Sequence, residues 1–150
     1  MAVDNRSAQR YIYLADDDSD DRDFFADAML EIQPGVILKM AHDGMYLMDD
    51  LFENSDTELP EFIFLDINMP GKSGFECLEE IRKHENLKEV NIIMLSTSND
   101  PENIRMAMEL GATCYAVKPS SFEKLKSILE DILSINLIST LEENRKFLLV

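Results

Sequence analysis

The sequence predicts an α/β protein in which helices cover both faces of a doubly wound parallel sheet of five strands. Five short runs of apolar, β-branched and aromatic residues lack polar alternation, which is typical of strands buried on both faces. Segments with helical spacing separate these runs, and repeated strand–helix units imply right-handed parallel crossovers. The chain of 150 residues has a suitable length for one such domain.

The strands are predicted over residues 11–15, 36–41, 62–65, 91–95 and 113–117. Apolar residues three or four positions apart mark the first, second, third and fifth helices: Phe25, Met29 and Ile32; Leu47 and Leu51; Phe75, Leu78 and Ile81; Phe122, Leu125, Leu129 and Ile132. The Gln-Pro-Gly segment 33–35 ends the first helix. Asp100 is predicted to cap the fourth helix, with Pro101 at its first position.

The fourth helix has a less regular pattern. Its predicted buried face is formed by Ile104, Ala107, Met108 and Gly111. Met106 lies opposite that face on a helical wheel, so we expect it to be exposed and available for a partner contact.

Charge and apolar content exclude some classes of protein. Thirty acidic and fourteen basic residues give a net charge of -16, which disfavours direct contact with nucleic acid or anionic membrane surfaces. No segment approaches the roughly 18 continuous apolar residues of a membrane span, and the first 18 residues hold no apolar signal-peptide core. A cytoplasmic protein is predicted.

Cys77 and Cys114 have no paired-cysteine spacing and are predicted to be core residues.

Polar residues follow the predicted strands at their carboxyl ends. In the flavodoxin-like form of this fold the strand order is 2-1-3-4-5, and ligands bind beyond the carboxyl ends where the order reverses. The first and third strands are then neighbours, so Asp16, Asp17 and Asp66 would share one crevice. Ser96 and Lys118 end the fourth and fifth strands and would flank it.

Three neighbouring carboxylates repel one another, and a hard cation such as Mg²⁺ relieves that repulsion. Beside such an ion, Asp66 is a candidate nucleophile, and Lys118 and Ser96 are candidate anion-binding groups. Each residue also has a plainer interpretation, since helix-start acids, strand-end hydroxyls and surface lysines are common. Asp18, Asp20 and Asp21 are interpreted as helix-start acids without a chemical role.

Four segments, "IYLADDDSDD", "FLDINMPGKSG", "IIMLSTSND" and "CYAVKPSS", resemble the signature segments of the response-regulator receiver family. The resemblance covers about residues 10–133 and has the family's order and spacing. It implies that Asp66 is the phosphorylated aspartate and that Asp16 and Asp17 hold Mg²⁺. It further implies roles for the following groups: the Asn68 backbone carbonyl as a metal ligand, Ser96 and Lys118 as phosphoryl-binding groups, Ser96 and Tyr115 as switch residues, and a cis peptide bond between Lys118 and Pro119.

The resemblance implies a phosphoacceptor of two-component signalling, phosphorylated on Asp66 by a sensor histidine kinase or a phosphotransfer protein. Its output would be a change in binding to a downstream protein through the face of the fourth helix, fifth strand and fifth helix. Such a module promotes only its own phosphorylation and dephosphorylation, so no further enzymatic activity is expected. The alternatives are an interaction module that is not phosphorylated and a Mg²⁺-dependent aspartyl-phosphate phosphohydrolase, although Asn68 replaces the second acid of the latter.

The segment 134–150 is too short for a DNA-binding or catalytic output domain, which favours a stand-alone receiver over residues 10–133. Leu133, Leu137 and Leu141 continue an apolar spacing, and the chain closes with Phe147, Leu148, Leu149 and Val150. Four apolar residues left in water would be unusual. We expect the tail to fold back on its own domain, and the alternative is a contact between two copies in a homodimer.

Overall fold

The computed structural model describes residues 9–135 and 147–150, which form a six-stranded parallel sheet with five helices. The strands are β1 Tyr11–Ala15, β2 Ile37–Ala41, β3 Pro60–Asp66, β4 Asn91–Ser96, β5 Cys114–Val117 and β6 Leu148–Leu149. Their order is β2-β1-β3-β4-β5-β6, so the predicted order of the first five strands is confirmed. No helix in the described part of the chain is long and apolar enough to cross a membrane.

The sixth strand corrects the prediction of a five-stranded sheet. Leu148 pairs with Tyr115 and Leu149 with Ala116, both in parallel register, at the edge of β5. An open edge strand presents unpaired backbone groups, and the apolar tail satisfies some of them while partly burying Phe147, Leu148 and Leu149. The expectation that the tail folds back on its own domain is therefore confirmed for residues 147–150. Leu137 and Leu141 lie outside the described residues.

The five helices are α1 Ser19–Ile32, α2 Gly44–Glu53, α3 Gly74–Lys83, α4 Pro101–Glu109 and α5 Phe122–Leu133. Each begins after a capping side chain that accepts a hydrogen bond from a backbone N–H of the first turn: Asp18, Asp43, Ser73, Asp100 and Ser121. The predicted cap at Asp100 and the end of the first helix at residue 33 are confirmed.

The sheet separates two apolar cores. One face packs against α1 and α5, and the other packs against α2, α3 and α4. Cys77 is buried in the second core and Cys114 in the first, so both are core residues as predicted, and the sheet lies between them.

The predicted face of the fourth helix is wrong at two positions. Ala107 is fully buried, but Met108 is 56 % exposed, since this nine-residue helix buries only a narrow stripe. Gly111 lies beyond the helix and adopts a positive φ of 94°, a conformation that a side chain rarely takes. Met106 is 39 % exposed, which confirms its predicted position on the outer side.

The turn after β3 brings two backbone segments unusually close together. A Cβ atom on Gly74 would lie 2.3 Å from the carbonyl oxygen of Asp66, which is closer than any real contact. The Gly74 N–H donates to the carbonyl of Ile67, and Gly71 has a φ of 78° within the turn. Glycine at position 74 therefore allows α3 to begin directly behind Asp66.

Candidate functional site

Three acidic side chains converge where β1 and β3 end. Asp16, Asp17 and Asp66 each place one carboxylate oxygen within 4.8 Å of the others. β1 and β3 are hydrogen-bonded neighbours whose last pair is Ala15 with Leu65, so the residues after them must meet at one edge. Asp16 and Asp66 are only 2 % and 7 % exposed, whereas Asp17 is exposed. The predicted shared crevice is therefore present.

Lys118 is the cation of this cluster. Its Nζ donates to Oδ2 of Asp16 at 2.9 Å and to Oδ2 of Asp66 at 3.1 Å. Its backbone N–H donates to the Ser96 carbonyl at 2.7 Å, which fixes the end of β5 against the end of β4. The lysine is mostly buried, so the alternative of a solvated surface lysine does not describe it.

Asp21 is a member of the site that the sequence analysis missed. Its Oδ2 accepts a hydrogen bond from Lys118 Nζ at 3.0 Å, while its side chain stays 45 % exposed. The interpretation of Asp18 as a helix-start acid holds, since it caps α1 by accepting from the Asp21 N–H. The position of Asp21 was an available clue. In a helix the side chain three residues after the cap points back toward the cap, and Asp16 and Asp17 directly precede the cap Asp18.

Burial and charge shift the ionisation of the two central groups. Burial, with a further contribution from the negative charge of Asp16, raises the pKa of Asp66 to about 6, even though Lys118 acts in the opposite direction. Burial by itself would lower the pKa of Lys118. The hydrogen bond to Asp16 and the charge of Asp66 outweigh it and raise that pKa above its ordinary value. Lys118 therefore stays protonated at neutral pH, whereas the ionised form of Asp66 is destabilised in the folded protein.

The donor set fits a hard divalent cation. Asp16, Asp17 and Asp66 bring three negative charges, and Lys118 neutralises one of them. Carboxylate oxygens are the ligands that Mg²⁺ takes in proteins. The Asn68 N–H donates to Oδ1 of Asp66 at 3.2 Å, and a ligand role for the Asn68 carbonyl stays a prediction.

The predicted switch residues are joined through one loop residue. Ser96 is 2 % exposed, and its hydroxyl oxygen accepts a hydrogen bond from the Ser98 N–H at 3.0 Å. The Tyr115 ring is fully buried, and its hydroxyl donates to the Ser98 carbonyl at 2.7 Å. Ser98 thus contacts both residues through its backbone.

The expected cis peptide bond between Lys118 and Pro119 is wrong, because the described residues contain none. A trans bond before proline is favoured by about 0.5–1 kcal/mol. The contacts of Lys118 with Ser96 and with the carboxylates are all made with the trans bond.

Comparison with known proteins gives the class to which this fold and site belong. The family model described as "Response regulator receiver domain" matches residues 12–130. The chain belongs to the response regulator receiver family.

Three relatives show how far the likeness extends. Chemotaxis protein CheY1 of Helicobacter pylori is 28% identical over 125 residues, which cover 83% of this chain and 98% of that protein. Probable methanogenesis regulatory protein FilR2 of Methanothrix harundinacea is 32% identical over 97 residues, 63% of each chain. Response regulator Rcp1 of Synechocystis is 29% identical over 65% of this chain and 66% of its own length. The chain thus spans just under two thirds of the last two relatives.

Two solved structures share the fold. The phosphorylated cyanobacterial phytochrome response regulator RcpA superposes with a TM-score of 0.77 at 28% identity, covering 87% of this chain and 96% of its own. The Mn(2+)-bound form of response regulator Rcp1 superposes with a TM-score of 0.74 at 26% identity, covering 92% of this chain and 98% of its own.

Proposed function

We propose that this chain is a phosphoacceptor response regulator that is phosphorylated on Asp66 in a Mg²⁺-dependent reaction. The contact of Lys118 with both Asp16 and Asp66, beside the exposed carboxylate of Asp17, carries this proposal. A candidate nucleophile, a buried cation and carboxylate oxygens that could hold a metal lie together at one sheet edge, which supports the proposal. The family membership supports the same role.

Phosphoryl transfer asks the protein mainly to position groups and to offset charge. An ionised Asp66 oxygen would form the new bond to phosphorus while the bond from phosphorus to the donor's imidazole nitrogen breaks. Lys118 is held beside that oxygen by Asp16 and would donate to the transferred group. A divalent cation held by Asp16, Asp17 and Asp66 would supply further positive charge to the phosphoryl oxygens.

The donor would be a phosphohistidine of a sensor histidine kinase or a phosphotransfer protein. The output would be a changed affinity for a downstream protein at the face of α4, β5 and α5, where Met106 is exposed. A net charge of -16 makes nucleic acid and anionic membranes unfavourable partners, and we place the protein in the cytoplasm. Beyond its own phosphorylation and dephosphorylation, we propose no enzymatic activity.

The direct test is mass spectrometry of the intact protein after incubation with acetyl phosphate and Mg²⁺. We expect the mass of one added phosphoryl group, its loss in EDTA, and its absence in Asp66→Asn. Asp20→Asn removes a nearby exposed acid outside the cluster and serves as the control, which should still be labelled. Equal labelling of wild type and Asp66→Asn would place the acceptor elsewhere, and no labelling at all would favour the unphosphorylated interaction module.

A phosphohydrolase would release many phosphates per protein molecule. That activity needs a proton donor for the leaving group, and the side chain two residues after Asp66 is an amide, Asn68. We therefore expect no turnover of an aryl phosphate under conditions that label Asp66.

A further inference from the structure

The described tail, residues 147–150, lies on the edge of β5. Its side chains alternate between the two cores: Leu148 packs against the core of α2, α3 and α4, whereas Leu149 packs against the core of α1 and α5. Phe147 contacts both cores, and Val150 is 64 % exposed. The tail therefore covers the sheet edge between α4 and α5.

Three hydrogen bonds join this tail to the candidate site. The Ser96 hydroxyl accepts from the Ser98 N–H at 3.0 Å, and the Ser98 carbonyl accepts from the Tyr115 hydroxyl at 2.7 Å. The Tyr115 N–H then donates to the Phe147 carbonyl at 2.8 Å. Tyr115 therefore contacts the Ser98 loop with its side chain and the tail with its backbone.

We infer that the tail is a releasable cover of the β5 edge, which leaves when Ser96 turns toward a phosphoryl group on Asp66. This inference rests on the proposed function. All three bonds are made in the structure with the tail docked, so a ligand that draws the Ser96 hydroxyl away from Ser98 weakens the docked state. By linkage, release of the tail strengthens binding of the phosphoryl group by the same factor.

The released edge would be a binding surface of defined chemistry. β5 would then present backbone N–H and C=O groups between two apolar slots, which suits an extended apolar segment of another protein pairing as a strand. In the free protein the occupant of this edge is the chain's own tail. The cover thus keeps the edge closed to other strands until the site is phosphorylated.

Amide hydrogen exchange of Tyr115 in the full chain reports docking directly, because this N–H donates to Phe147. We expect beryllofluoride with Mg²⁺, a phosphoryl mimic, to speed that exchange about fivefold or more over Mg²⁺ alone. An unchanged or slower rate, in a sample where the resonances of Asp66 and Lys118 show binding, overturns the inference. Tyr115→Phe lacks the middle bond and should lose the response while keeping its ring.

A second measurement does not depend on the proposed function. Ser96→Ala removes the hydroxyl that accepts from Ser98, so it should speed exchange of the Tyr115 amide without any mimic. Thr97→Ala is the control, because Thr97 is an exposed neighbour outside the three bonds, whereas the Ser98 hydroxyl accepts from the Asp100 N–H at 3.0 Å and is kept. If beryllofluoride does not bind at all, that result contradicts the proposed function, and it also excludes phosphorylation as the trigger of tail release. Equal rates of Tyr115 amide exchange in Ser96→Ala and Thr97→Ala overturn the linkage itself.

Because the linkage is reciprocal, disrupting the tail should also change the affinity of the site for beryllofluoride. Leu149→Pro disrupts the tail strand and should tighten beryllofluoride binding about fivefold or more, whereas Val150→Pro lies beyond the strand and should not. Equal affinities in the two variants would overturn the inference.

Discussion

Lys118 Nζ lies 3.1 Å from Oδ2 of Asp66, yet this contact does not keep the aspartate at its ordinary pKa. Burial and the neighbouring Asp16 outweigh it, so the ionised nucleophile is destabilised while no metal is bound. A cation that joins the cluster would remove this penalty. The same electrostatic imbalance predicts the effects of several substitutions.

Asp66→Asn should stabilise the metal-free protein at pH 7.5. Because the folded-state pKa is about 6 against an ordinary 3.8, the native state binds the proton more tightly, and stability falls as pH rises through that window. We expect a gain of about 1–3 kcal/mol in the free energy of unfolding at pH 7.5. The gain should shrink as pH falls below about 6 and vanish by about pH 3, where the carboxyl is protonated in both the folded and the unfolded wild type. Urea unfolding in EDTA at several pH values measures it, and a gain independent of pH would contradict the assignment.

Mg²⁺ should raise the unfolding temperature of the wild type through binding to the native state. Asp17→Asn should shrink this increase, because Asp17 contributes an exposed carboxylate oxygen to the cluster. Asp20→Asn removes the same charge outside the cluster and should keep most of the increase. Thermal melts of the three proteins with Mg²⁺ and with EDTA give the comparison. Identical melts of the wild type under both conditions would contradict metal binding at this cluster.

Lys118→Met should lower stability in EDTA by about 1–3 kcal/mol, since it removes a hydrogen bond from the buried carboxylate of Asp16. Mg²⁺ should restore part of the loss and should bind more tightly than in the wild type, because one positive charge is gone. Lys126→Met is a control, since Lys126 pairs with Glu31 and Glu123 far from the site. Equal losses in the two variants would argue against a buried ion cluster.

Asp21→Asn should increase the affinity for beryllofluoride. Asp21 competes for Lys118, and its removal frees one ammonium N–H for the mimic. The Asp21 side chain is 45 % exposed, so an increase of about two- to fivefold is expected, corresponding to less than about 1 kcal/mol. Titration with beryllofluoride in the presence of Mg²⁺ compares the affinities of Asp21→Asn and Asp20→Asn. Equal affinities would show that Asp21 does not influence binding at the site.

Gly74→Ala should destabilise the fold by more than about 2 kcal/mol, because the new Cβ would overlap the Asp66 carbonyl. Gly35→Ala is the matched control: its Cβ would meet nothing within 4 Å, and its effect should stay within about 1 kcal/mol. Chemical denaturation distinguishes them, and a tolerated alanine at position 74 would contradict the close approach of α3 to β3.

The sequence was sufficient for the features that depend on periodicity and on strand ends. Unalternating apolar runs predicted five parallel strands, and their order brought Asp16 and Asp66 together. The sixth strand could not be predicted as a strand, because two residues carry no periodicity and only the open edge of β5 makes them extended. In the sequence Asp21 has the pattern of a helix-start acid, and its contact with the site depends on the three-dimensional position of Lys118.

Asp16 and Lys118 are separated by 102 positions in the chain, and their contact closes a loop that contains four of the strands and four of the helices. Closing such a loop costs conformational entropy that only the packed sheet can offset. We therefore expect Lys118 to reach Asp16, and the complete site to form, only after most of the domain has folded. In a partly folded chain the acids and Lys118 would lie far apart, and the chain would not accept a phosphoryl group. Phosphorylation would therefore be restricted to completely folded molecules.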